Sequence, residues 1–102
     1  MFKLNPNPTF EYTVPISIPG GESLPLRVVF KHKKKSELKE FMASAGRSDS
    51  EMLTEMIHAC KDKPEDVSLS DYLLEVTENY PAASSDILRS YLKELSESRI
   101  KN

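Results

Sequence analysis

Two stretches of strict alternation, separated by a proline–glycine turn, constrain this chain more than any other feature. Over residues 9–18, Phe10, Tyr12, Val14, Ile16 and Ile18 alternate with Glu11, Thr13, Pro15 and Ser17. A strand turns successive side chains to opposite faces, so a period of two gathers the apolar ones on one side. Pro19-Gly20-Gly21-Glu22-Ser23 follows. Proline presets φ, and glycine adopts the positive φ that tight turns require. The alternation then resumes over 24–32, with Leu24, Leu26, Val28 and Phe30 on one face and Arg27 and Lys31 on the other. Two such runs across a short glycine loop predict an antiparallel hairpin. Pro15 and Pro25 have no N–H to donate and are expected on an unpaired edge or near a strand end. A lone two-stranded ribbon is marginal in water, so helices or another chain must cover its apolar face.

After Lys35 the period becomes helical. Ser36 is placed to cap a helix over 37–45, with Leu38, Phe41 and Met42 on one side and Gly46 as the stop. Ser48-Asp49-Ser50-Glu51 has capping-box spacing. It opens a second helix whose stripe, Met52, Leu53, Met56, Ile57 and Cys60, runs on at helical spacing. The charged stretch Lys61-Asp62-Lys63-Pro64-Glu65-Asp66 reads as a linker, and Ser68 as the start of a third helix with Leu69, Tyr72, Leu73, Val76 and Tyr80 as its stripe. Pro81 suits the first turn of a fourth helix over about 82–99, carried by Ile87, Leu88, Tyr91, Leu92 and Leu95. The tail Arg99-Ile100-Lys101-Asn102 is expected to fray. The fold class is therefore α+β: an N-terminal β-hairpin followed by about four short helices.

Length fixes the scale. A chain of 102 residues makes one domain with one modest core, and leaves little room for an enclosed catalytic pocket. The domain reads as residues 1–102, with a hairpin part over 1–35 and a helical part over 36–102. No run of 18 or more apolar residues is present, and no apolar segment at the N-terminus reads as a secretory signal. The single cysteine, Cys60, cannot form an internal disulfide and fits a reducing compartment. The net charge of −2 is unevenly spread: residues 1–35 sum to +4 and residues 36–102 to −6. The split fits internal complementarity, steered self-association or two ordinary solvated faces.

A search for chemistry returns little. Cys60, His58 and His32 fall short of the four ligands of a structural zinc site, and Cys60 lies on an apolar stripe where a small buried thiol is ordinary. Gly20-Gly21 is explained by the turn, since no phosphate-loop lysine follows. Glu65-Asp66 sits in a polar linker, and no serine, histidine and aspartate form a recognisable nucleophile elbow. No cofactor, no metal and no catalytic residue are expected, and the chain does not read as an enzyme. Lys31-His32-Lys33-Lys34-Lys35 is a basic cluster that reads either as a patch for phosphates or acidic protein, or as a solubilising strand end. Nucleic-acid binders usually add arginines and aromatic platforms, which this cluster lacks. Met42, Met52 and Met56 read as core before they read as an adaptable groove. Tyr72, Tyr80 and Tyr91 fit the rim of a core or an interface.

The order of several short segments carries a resemblance. Phe2-Lys3-Leu4-Asn5-Pro6-Asn7-Pro8-Thr9-Phe10 opens the chain, and Pro19-Gly20-Gly21 marks the turn. Val29-Phe30-Lys31-His32-Lys33 then precedes a helix with Glu37-Leu38. Leu73-Leu74, Tyr80-Pro81-Ala82-Ala83, Ile87 and Tyr91-Leu92-Lys93-Glu94-Leu95 follow, and Arg99, Lys101 and Asn102 close the chain. Taken together they resemble the tail assembly chaperones of long, flexible-tailed, lambda-like phages and prophages, over most of the chain. One departure stands out: Ala59-Cys60-Lys61-Asp62 occupies the place of a tryptophan expected in the family's middle segment.

The resemblance implies a non-enzymatic protein of the host cytoplasm that keeps the tape-measure protein soluble, recruits the major tail tube protein and is absent from the mature virion. Many such relatives are also made in a longer, frameshifted form, and Lys101-Asn102 can be encoded by a run of adenines. Candidate contact residues are the hairpin face (Phe10, Tyr12, Val14, Ile16, Leu26, Val28 and Phe30) and the last helix (Leu88, Tyr91, Leu92 and Leu95). Free hairpin edges add the expectation of a homo-oligomer. No membrane partner is expected. Two alternatives stay open: a small nucleic-acid-binding regulator using the 31–35 cluster, and a structural component that remains in the tail.

Overall fold

The computed structural model describes residues 2–96. The hairpin forms as its alternation requires: β1 (Thr9–Ser17) pairs antiparallel with β2 (Ser23–Lys31), with Phe10 opposite Phe30 and Val14 opposite Leu26. The turn closes through Ile18 N–H to Glu22 O at 2.9 Å and Gly21 N–H to Ile18 O at 3.2 Å. Gly20 and Gly21 take φ of 111° and 99°, a region where a Cβ is strained.

Pro15 and Pro25 lie opposite one another, each third from the turn end of its strand, with Pro15 on the edge strand as expected. Ladder parity explains how the sheet accepts them. Arg27 N donates outward to Asp62, and Ser17 N donates outward to Asp86. Odd-numbered positions of both strands therefore turn their N–H away from the β1–β2 ladder, so the prolines remove no bond between these strands.

Helix α1 (Lys35–Ala43) begins two residues before the expected 37–45. Lys34, not Ser36, takes the N-cap position, because the Glu37 carboxylate reaches back 2.8 Å to the Lys34 N–H. The helix stops at Ser44, whose N–H and hydroxyl both reach Glu40 O, so Gly46 lies beyond the end. Phe41 is buried, Leu38 is half-buried and Met42 is exposed.

Helix α2 (Asp49–Met56) has the expected reciprocal cap: Glu51 N donates to Ser48 Oγ at 3.2 Å, and Ser48 N to Glu51 Oε1 at 2.9 Å. The expected continuation of this helix through Cys60 is corrected. The chain turns at Ile57 into β3 (Ile57–Cys60), which pairs antiparallel with β2 to give the order β1-β2-β3. Ile57 opposes Phe30 and Ala59 opposes Val29, so the ladder bulges and His58 is the extra residue. Residues three apart cannot share one face of a regular strand. The bulge shifts the phase, and both Ile57 and Cys60 point inward. The helical spacing of these two residues thus serves a bulged strand, because pairing with the outer edge of β2 satisfies backbone groups that a longer helix would leave open.

Ser68 caps α3 (Leu69–Asn79), its Oγ accepting from Asp71 N at 3.1 Å. Lys63 braces the loop before it, its Nζ donating to Pro64 O and Val67 O at 3.0 and 2.5 Å. Helix α4 (Ala83–Ser96) follows. The end of the expected 82–99 helix and the 99–102 tail lie outside the described residues. The result is α+β: a three-stranded antiparallel sheet with helical segments closing its apolar face. Val14, Ile16, Leu26, Val28 and Phe30 from the hairpin meet Phe41, Leu53, Met56, Ile57, Cys60, Leu73, Ala83, Ile87 and Tyr91 in one core. At roughly 25 cal/mol per Å² of apolar surface, each large side chain buried there contributes about 2 kcal/mol.

Candidate protein-docking surface

Helix α4 lies along β1 and is fixed to the sheet at two points. Near its start, the buried Asp86 carboxylate accepts the outward-facing N–H of Ser17 at 2.7 Å. One turn and a half later, the fully buried Tyr91 donates its hydroxyl to Lys31 O at 2.7 Å. The ring of Tyr91 lies 4.9 Å from Phe30, 6.1 Å from Phe41 and 6.5 Å from Phe10, centroid to centroid. Burial pushes its phenol well above the ordinary tyrosine range. Tyr91 is thus a hub, and the helix cannot slide along the strand without breaking it.

The eleven predicted contact residues divide cleanly. Val14, Ile16, Leu26, Val28, Phe30 and Tyr91 are closed in the core. Phe10, Tyr12, Leu88, Leu92 and Leu95 are half-buried. The fold brings together members of both predicted groups. Phe10 from β1 and Leu95 from α4 line one cleft of about 330 Å³ with Pro6, His32 and Glu94. Tyr12 lines a second, on the other flank of α4, with Asp86, Arg89 and Lys93.

Pro6 belongs to an arm, residues 2–8, that is exposed throughout. Phe2 and Leu4 are 87% and 83% exposed. Large apolar groups left in water on a segment leading into an aromatic-floored cleft form the most marked apolar surface of the described residues. Periodicity missed these two because they precede the strand. It also missed Leu74, which is 56% exposed. The available signal was its neighbour: adjacent leucines on a helix point about 100° apart, and Leu73 takes the core position.

The basic cluster is divided among local tasks. Lys31 Nζ donates to Thr54 O at 3.1 Å, His32 N donates to Pro8 O at 2.8 Å, and Lys33 lies 5.2 Å over the Phe41 ring. Arg47 covers that ring at 4.5 Å and donates to Phe41 O. Its Nη1 lies 2.9 Å from Glu55, close enough for attraction but off the direction of a hydrogen bond. The cleft beside the cluster is also lined by Glu37, Glu40 and Glu55, a poor setting for phosphate.

Cys60 is buried beneath the sheet, and burial pushes its thiol up to about 11, so it carries no thiolate at neutral pH. No group of three or more metal-ligating side chains occurs among the described residues, and no described helix is long and apolar enough to cross a membrane.

Comparison with known proteins returns one family, described as phage tail assembly chaperone, whose profile matches residues 1–102. No curated protein and no solved structure matches the chain significantly. With the whole length matched and the expected α+β hairpin fold in place, the chain belongs to the phage tail assembly chaperone family.

Proposed function

We propose that this chaperone holds the tape-measure protein soluble and recruits the major tail tube protein, in the host cytoplasm, and leaves before the virion is complete. It acts by contact and makes or breaks no bond. The observation that carries this reading is the family match over the full length. The arm and the flank of α4 support it physically. A long helical client exposes apolar stripes, and Phe2, Leu4, Phe10 and Leu95 offer apolar cover that is displaced without unfolding the core.

Co-expression with the tape-measure protein tests the reading. The client is expected in the soluble fraction with the wild-type chain and in the pellet with Phe2→Ser/Leu4→Ser or Leu95→Lys. A client that is equally soluble without the chaperone, or with these folded variants, refutes it. Mass spectrometry of purified particles separates it from the structural-component alternative, which predicts stoichiometric retention in the tail.

A further inference from the structure

The sheet has two outer edges, and they are unequal. Strand β3 is four residues long, whereas β1 runs for nine and has no described strand on its far side. The backbone groups of Thr9, Glu11, Thr13, Pro15 and Ser17 turn outward along β1, by the same ladder parity that sends Ser17 N to Asp86. A row of unpaired N–H and C=O groups is a template for another strand, and folded chains blunt it with proline, charge or a covering side chain. Only the turn half of this edge is blunted. Pro15 has no N–H, and Asp86 occupies Ser17 N at 2.7 Å. The other half is open: among the described residues, no hydrogen bond reaches the outward groups of Thr9, Glu11 and Thr13. The Glu11 side chain lies on the outer face of the sheet, where Lys61 Nζ holds it at 2.9 Å, and it does not cover the edge.

The charge beside the edge is positive. Arg89 and Lys93 are one turn apart on α4 and both exposed, and they line a cleft of about 310 Å³ with Tyr12, Ser17 and Ser90. Asp86 takes one arm of the Arg89 guanidinium, at 3.3 Å, and Lys93 has no ion pair among the described residues. A strand laid on β1 alternates its side chains across the sheet. Those turned inward, toward α4, meet Arg89 and Lys93, and those turned outward lie beside Glu11.

We infer that the Thr9–Thr13 half of β1 receives an extended acidic segment of another protein as a fourth strand, with carboxylates at every second position over Arg89 and Lys93. Backbone pairing supplies attraction, and the cleft supplies the choice of sequence. Acids at the intervening positions would face Glu11 and are disfavoured. Pro15 and Asp86 end the pairing on the turn side and so set its length. A second copy of this chain lacks such a strand: β1 carries one acid, Glu11, and β2 and β3 carry none.

The inference does not rest on the tape-measure reading, and its test uses no client. Thr13→Pro removes one outward N–H and no hairpin bond, as Pro15 already does, so the variant should fold. The probes are two capped eight-residue peptides, one alternating threonine with glutamate and one alternating threonine with lysine. The wild type should bind the glutamate peptide, with the amides of Thr9, Glu11 and Thr13 gaining protection from hydrogen exchange, and the affinity should fall as salt rises. Thr13→Pro should weaken this binding about 10-fold, through one lost bond and the intruding ring. Lys93→Glu should weaken it about 10-fold as well, and should strengthen binding of the lysine peptide. If circular dichroism shows that Thr13→Pro does not fold, Lys93→Glu and the exchange pattern decide. No binding of the glutamate peptide at millimolar concentration overturns the inference. So do equal binding of the two peptides, protection that appears elsewhere, or a folded Thr13→Pro that binds like the wild type. A free wild type that sediments as a larger species than Thr13→Pro would assign the edge to a second copy, and overturns it too.

Discussion

Replacing Tyr91 by Phe removes one oxygen from the middle of the molecule and keeps the ring. The ring continues to pack against Phe10, Phe30 and Phe41, so the apolar contribution is unchanged to first order. What is lost is the 2.7 Å bond to Lys31 O. That carbonyl is left facing the core without a donor, and such an orphan costs about 1–3 kcal/mol. The part-buried setting of the bond places the expected loss near the low end, about 1 kcal/mol. For a domain of this size that corresponds to a fall of about 4–8 °C in Tm, measurable by calorimetry. A pH series adds a second reading. The folded phenol titrates above the 10.0 of an unperturbed tyrosine, so the folded chain holds a proton that the unfolded chain releases. Its stabilisation is complete below pH 10.0 and is lost as pH rises toward the folded value. The gap between wild type and Tyr91→Phe should therefore narrow above that pH. An unchanged Tm, or a gap that stays constant into alkali, would refute the assignment of Tyr91 as the anchor of α4.

Three further outcomes are expected. Ser48→Ala removes the acceptor for Glu51 N and should cost about 1 kcal/mol in urea denaturation, with an unchanged m-value. Cys60→Ala should reduce the loss of wild-type stability between pH 9.0 and about 11, where the folded thiol stays protonated and the unfolded one ionises; it also leaves a small cavity, so the comparison is of pH slopes rather than absolute stability. Deleting His58 removes the bulge and leaves Ile57 and Cys60 two residues apart on one face, so it should cost less than Ile57→Ala, which empties a fully buried position and should cost about 2–5 kcal/mol, read as a large drop in the urea midpoint.

The hairpin was legible because its signal is local and redundant. Nine consecutive pairs, from Thr9 opposite Lys31 to Ser17 opposite Ser23, follow from alternation and one glycine turn. The caps of α2 and α3 were legible for the same reason, since a serine oxygen and the N–H three residues on are neighbours in sequence. The third strand was not. Met52, Leu53, Met56, Ile57 and Cys60 satisfy a helical period throughout, and only the open edge of β2, thirty residues earlier, decides that the last four residues extend. Nor did the sequence mark the start of α1: Ser36 is the better capping residue by type, but the reach of Glu37 to the Lys34 N–H sets the position.

The candidate surface shows where periodicity stops being informative about function. Period identifies residues that share a face, and the best-patterned faces are those the chain covers itself: six of the eleven predicted contact residues are closed in the core. An interface that must form and later release cannot be built on those positions, because exposing them would unfold the domain. It has to use apolar residues that the core leaves over. Here they are Phe2 and Leu4 ahead of the first strand, Met42 and Leu74 on the outer sides of α1 and α3, and the half-buried rim of Phe10 and Leu95. Phe2 and Leu4 lie outside any element and Leu74 stands off its helix's stripe, while Phe10, Met42 and Leu95 follow the pattern but sit at its edge. For a small chaperone, apolar residues that the core leaves uncovered, on or off the pattern, are therefore the ones on which reversible contact with other chains can be made.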